Sequence, residues 1–207
     1  MKKSQTIIYV NFSPYENAGN ILDFIKKRFS RVIMFSFNFH RLDKHQPPSA
    51  LTVFEHGKNV YRTRLYQTPT SPELAFLLLP IRSAVIFVQI LFHAVHLRDR
   101  FGPYKTFFTV NAFIAWCGNI LRSLGIVSKT IFWVWDYYPP VHPSRLVRYM
   151  RWLYWQFDKP ASQSADATIF LNKRLEVLRK KIGVLPQLAQ YEEVEIGTDP
   201  IHRKQTK

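Results

Sequence analysis

Cysteine is nearly absent. Cys117 is the single one in 207 residues, which excludes an intrachain disulfide and any cysteine-based zinc cluster. It lies in AFIAWCGNIL, an apolar helical pattern, so a buried and inert thiol is expected there rather than a nucleophile. Glycine is scarce too, at seven residues, and neither G-x-G-x-x-G nor GK[ST] occurs. Cradles for nicotinamide, flavin and ATP thereby lose their usual signature. The seven histidines show no H-E-x-x-H or other metal-ligand spacing, and Ser13 lacks the flanking glycines of a nucleophile elbow. Neither a metal, nor acyl-transfer chemistry, nor any cofactor is expected.

Acidic residues are few, 14 against 29 lysines and arginines, for a formal charge of +15. Such an imbalance calls for an anionic partner: nucleic acid, an anionic membrane face, or phosphorylated small molecules. Nucleic acid is not expected, because no RNP, KH, zinc-finger or helix-turn-helix signature is present. With 47% hydrophobic and 21% charged residues, the chain can bury a substantial core. The longest apolar stretch, Glu73 to Leu97, is interrupted by Pro80, Arg82, Gln89, His93 and His96. It reads as a buried or interfacial helix rather than a membrane span. The apolar run in MKKSQTIIYVNF is too short for a signal-peptide core. The expected location is cytoplasmic, with a peripheral position at the inner face of a membrane as its extension.

Strand-like and helix-like segments alternate. Strands are predicted at Thr6–Phe12, Arg31–Phe37, Lys105–Val110, Thr130–Trp135, Ala167–Leu171 and Val194–Ile196, with a hairpin around His56-Gly57-Lys58-Asn59. Helices are predicted at Ile21–Phe29, from Pro72 to about Arg100, at Ala112–Leu124, at Ser144–Phe157, and after Asn172, a good N-cap, with Gly183 beyond its end. This order predicts one α/β domain, a Rossmann-like parallel sheet flanked by helices, over residues 1–200. A basic tail, 201–207, follows.

The segment TIFWVWDYYPP, residues 130–140, carries the strongest functional signal. Its first six residues are mostly β-branched or aromatic and predict a strand buried on both faces. It stops at Asp136, Tyr137, Tyr138 and two prolines, where ligands bind in parallel sheets. Asp136 is the candidate catalytic residue, for proton transfer or for holding a sugar hydroxyl; capping its own turn is the competing role. Tyr137 and Tyr138 could stack on a sugar ring or fill the cleft wall. The loop after the first strand, with Asn17, Gly19 and Asn20, offers helix N–H groups to a ligand. In the helix after Ser144, Arg145, Arg148, Arg151, Trp152 and Trp155 accompany an apolar stripe, a mixture suited to an anionic membrane surface, or else to a core face beside a solvated one.

The segments FSPYENAGNILDFIKKRFSRVIMFSF, TIFWVWDYYPP, SADATIFLNKRLEVLRKK and VEIGTDP, in this order, resemble the N-terminal domain of GT-B glycosyltransferases of the family 4 type. The resemblance covers nearly the whole chain, with Ala18-Gly19 where the family often has a glycine pair and Asn172 in place of its usual serine. It implies an acceptor-binding half for hexosyl transfer from a nucleotide sugar, without a metal. The acceptor would be a glycan or lipid-linked sugar, as in cell-envelope polysaccharide synthesis. The donor would be held mainly by a C-terminal domain that is missing or on a separate chain. It also places Asn172 beside Asn17, Gly19, Asn20, Tyr137 and Tyr138 among candidate substrate-binding residues. The alternative reading, from another class, is a non-catalytic binding or scaffold subunit that docks a partner through its basic face.

Overall fold

A computed structural model describes residues 5–11, 19–38, 47–68, 74, 77–135, 137–139, 141–181 and 191–193. Among the described residues eight strands form one sheet: β1 (Thr6–Asn11), β2 (Arg31–Ser36), β3 (Ala50–Glu55), β4 (Lys58–Arg64), β5 (Tyr104–Thr109), β6 (Val127–Val134), β7 (Ala167–Phe170) and β8 (Tyr191–Glu193). Their spatial order is β4-β3-β2-β1-β5-β6-β7-β8. The six strands from β2 to β8 in that order run parallel, and β3 and β4 extend the β2 edge as an antiparallel hairpin. His56 and Gly57 turn the hairpin, both at positive φ (49° and 81°), the conformation that matches strand twist in two-residue hairpins.

The described helices are α1 (Gly19–Arg28), α2 (Leu79–His96), α3 (Arg98–Phe101), α4 (Ala112–Ser123), α5 (Arg145–Ser164) and α6 (Lys173–Lys181). All six residues of β1 are buried, as its central place demands. Its alternation feeds two cores. Ile8 and Val10 join Ile86 and Ile90 of α2 and Ile114 of α4, while Ile7 and Tyr9 join Ile21 and Ile25 of α1. A third cluster sets Phe132 and Phe170 of the sheet against Ala115, Ala161 and Leu175 from α4, α5 and α6. Cys117 is fully buried in this layer, and burial pushes its thiol well above the ordinary range, which leaves it inert at neutral pH.

The helix α4 approaches the sheet closely at Gly118, where an added Cβ would meet the Phe107 ring at 2.4 Å. Gly118→Ala gains up to about 1 kcal/mol of helix propensity, but overpacking costs about 1–3 kcal/mol. The expected net is a loss of about 1–2 kcal/mol, visible as a lower urea midpoint.

Two differences from the sequence-based expectation have physical causes. The strand β6 is fully buried on one side, through Thr130, Phe132 and Val134, but Ile131, Trp133 and Trp135 on the other are only partly buried. Among the described residues, α1 is the one helix on that side, and its Ile21 and Ile25 sit over β1 and β2. The helix α5 runs to Ser164 instead of stopping at Phe157, passing Pro160. Asp158, Ala161 and Ser162 are buried there, and Asn119 Nδ2 donates to the Ala161 carbonyl at 3.1 Å, so tertiary packing offsets the lost helix bond. The last described strand is Tyr191–Glu193; the strand expected at Val194–Ile196, like Gly183, lies outside the described residues.

His93 on α2 is partly buried between Phe35 (6.3 Å) and Phe92 (5.2 Å). Burial first, and neighbouring His96 second, hold its pKa below the ordinary value. The unfolded chain therefore takes up this proton before the folded one does. Stability is expected to fall as pH drops from about 6.5 through the lower folded value. His93→Gln should flatten that slope in urea titrations above and below this window.

Candidate active site

In an open parallel sheet the ligand crevice lies beyond the carboxyl ends of the strands, where the strand order reverses. Here that point is between β1 and β5, whose connections lead to α1 and α4 on opposite faces. Both helices begin at this edge, and neither has an acidic residue in its first turn. Two positive dipole ends therefore face it. Thr109 Oγ donates to the Val10 carbonyl at 3.2 Å and accepts from the Asn111 N–H at 3.2 Å. The Asn111 side chain in turn accepts from the Ile114 N–H at 3.3 Å, capping α4. These residues fix the crevice floor.

One place along the sheet from β5, roughly 5 Å away at ordinary strand spacing, β6 ends and its loop begins. This loop is fastened to α5. Arg151 Nη1 donates to the Pro139 and Val141 carbonyls at 2.6 and 2.8 Å. Trp155 Nε1 donates to the Tyr138 carbonyl at 2.9 Å, and Arg148 reaches the His142 carbonyl at 3.0 Å. Tyr137 meets the Trp155 ring edge-on at 6.0 Å, and Tyr138 meets Tyr154 at 4.7 Å. Tyr137 is partly buried and Tyr138 exposed. Three of the five residues assigned from sequence to a membrane face thus have their donors engaged by loop carbonyls. Arg145 and Trp152 point to solvent.

Beneath the clamp is a buried ion pair. Arg179 Nη2 of α6 donates to Asp158 Oδ1 of α5 at 2.8 Å and stands 2.7 Å from Oδ2. Both side chains are completely buried, and Arg179 Nη1 also donates to Ser162 Oγ at 3.0 Å. Burial pushes the Asp158 carboxyl above its ordinary range, against the pull of the Arg179 guanidinium. That guanidinium lies 5.6 Å from the Trp155 ring and 5.9 Å from Phe170. The pair therefore buttresses the tryptophan that holds the Tyr138 carbonyl.

Most of the candidate residues gather at one edge of the sheet. Gly19 and Asn20 open α1, after β1. Tyr137 and Tyr138 follow β6, and Asn172 follows β7, so strand topology brings all of these to that edge. Asn172 Oδ1 accepts from the Leu175 N–H at 3.0 Å and caps α6, as its sequence position predicts. Asp136 and Asn17 lie outside the described residues. Asp166, from the SADATIF segment, is structural, since its carboxylate accepts from the Thr130 N–H at 2.7 Å and pairs with Arg122 at 2.6 Å. Sequence reasoning missed Asn111, although an asparagine immediately before an apolar helical run is an N-cap signal. It also missed the clamp, which no spacing announces.

No protein-family profile matches this chain, and no characterised protein matches it by sequence. Among the solved structures that match it in fold are two of sucrose-phosphate synthase from Thermosynechococcus elongatus. One aligns at 19% identity with a TM-score of 0.57, covering 94% of this chain and 91% of its own. The other aligns at 17% identity and a TM-score of 0.57, covering 94% of this chain and 49% of its own. The present chain thus spans about half the length of that longer neighbour. Sucrose-phosphate synthase is a GT-B glycosyltransferase, and the chain has the Rossmann-like α/β fold of that architecture.

Proposed function

We propose that this chain is the acceptor-binding half of a GT-B glycosyltransferase, transferring a sugar from a nucleotide sugar to a glycan or lipid-linked acceptor held near a membrane. The observation that carries this reading is the fastened loop after β6, which holds Tyr137 and Tyr138 beside a crevice lined by two helix N-termini. Asp136, between Trp135 and Tyr137 in the chain, serves in proton transfer at the acceptor hydroxyl or holds it by hydrogen bonding. Tyr137 and Tyr138 offer flat surfaces for a sugar ring. Donor phosphate charge is balanced by helix N–H groups and basic side chains.

In this reading the nucleotide sugar is gripped mainly by a second domain. Titrating nucleotide sugars into this chain alone should give weak binding or none. Tight, saturable binding would overturn the assignment of this half to the acceptor. A chain that restores no transfer with any donor domain would instead be a scaffold, docking a partner through its basic face.

A further inference from the structure

The helix α2 has a buried side and, opposite it, an exposed apolar side. Arg82, Ile86, Ile90 and Ala94 are buried on one. On the other, Leu77 (just before the helix), Ile81, Ala84, Val88, Phe92 and Val95 fall within about 80° of arc at 3.6 residues per turn. The five large ones are 52–75% exposed. Between Ile81 and Val95 this stripe runs about 21 Å. A solvent-facing helix surface would ordinarily be polar, and a continuous apolar patch on a folded domain marks an interaction site.

The surroundings identify the occupant. The exposed positions of α2 include no carboxylate and no lysine or arginine, so the charged flanking pairs that set register in a helix–helix seam are missing. Cations stand at its margin instead. Arg98 and Arg100 are exposed just beyond its end, with Asp99 between them. In the same helical layer, joined through Phe87–Trp116 and Trp116–Phe157 contacts of 5.9 and 5.3 Å, α5 exposes Arg145 and Arg148 beside Leu146, Tyr149 and Trp152. No acidic residue occurs from 141 to 157. An apolar centre rimmed by arginine and interfacial aromatics, in a chain of charge +15, complements a bilayer with anionic headgroups.

We infer that the outer face of α2 docks on an anionic phospholipid surface, lying in its interface with the α5 arginines at the headgroups. The helix is long and apolar enough to cross a membrane by length and composition. Its inner side, however, is built into the domain core, so it lies on the bilayer instead of spanning it. This inference is independent of the sugar-transfer reading, because lipid binding needs neither donor nor acceptor.

The test is flotation of the whole chain with phosphatidylcholine vesicles, with and without about a third phosphatidylglycerol. Binding is expected with the anionic vesicles, weakened by salt, and at least about tenfold lower in Val88→Glu/Phe92→Glu. Both side chains are largely exposed, so melting should be unchanged; if the Glu pair melts lower, Val88→Ser/Phe92→Ser takes its place. Failure of the wild type to float with anionic vesicles overturns the inference. So does flotation that neither double variant reduces. A dimer seen by light scattering that the variants dissolve, without vesicle binding, would also overturn it and assign the stripe to a second copy of the chain.

Discussion

Arg179→Met should destabilise the domain by about 3–5 kcal/mol, the usual cost of breaking a buried ion pair from one side. Met approximates the volume but leaves the Asp158 carboxylate completely buried with no cation. Only hydroxyl partners such as Ser162 and Tyr154 remain to it. The native pair already holds Asp158 above its ordinary pKa because burial outweighs the guanidinium, so removing the guanidinium raises it further. A carboxyl whose folded pKa exceeds its unfolded one stabilises the fold below the unfolded value and loses that contribution as pH rises. The mutant deficit should therefore be smallest in acid and grow towards neutrality, as urea midpoints at several pH values would report. Asp158→Leu combined with Arg179→Met should recover most of the loss, since a well-packed apolar replacement of a buried pair is often neutral or better. An additive double mutant would show that the pair is not the cause.

The second large effect is chemical. If this chain is the proposed acceptor half, Asp136→Asn in the reconstituted enzyme should lower the rate of sugar transfer by about 10²–10⁴-fold, the ordinary contribution of a positioned acid or base. Asparagine keeps the size and loses the charge, so the thermal melt should be unchanged. If Asp136 did nothing beyond capping the turn, asparagine would serve nearly as well, and the rate would barely move. Separation of rate from stability distinguishes the two roles.

Much of this fold is legible in the residues, for identifiable reasons. Strands such as Thr6–Asn11 and Arg31–Ser36 are short apolar runs between turn residues, and their bounds shift by only a residue. The hairpin is announced by His56-Gly57, the two positive-φ positions. Asn172 announces the start of α6 and does cap it. What is not legible depends on contacts distant in sequence. Pro160 ends a helix on local grounds, yet α5 continues because its final turns are buried. Arginines and tryptophans along α5 show their faces by periodicity, but no periodicity says that Arg151 and Trp155 reach carbonyls 10 to 17 residues away. The wet side of α2 is illegible for the opposite reason. Apolar residues surround that helix, and only the folded arrangement separates the buried row at Arg82, Ile86 and Ile90 from the exposed row at Ile81, Val88 and Phe92.

The most direct measurement is co-expression of this chain with candidate donor domains, followed by a screen for nucleotide release and sugar transfer to glycan and lipid-linked acceptors. Transfer that requires both chains, and that collapses with Asp136→Asn, is the expected result. Transfer by the partner domain alone, or transfer indifferent to Asp136→Asn, would contradict the acceptor-half reading.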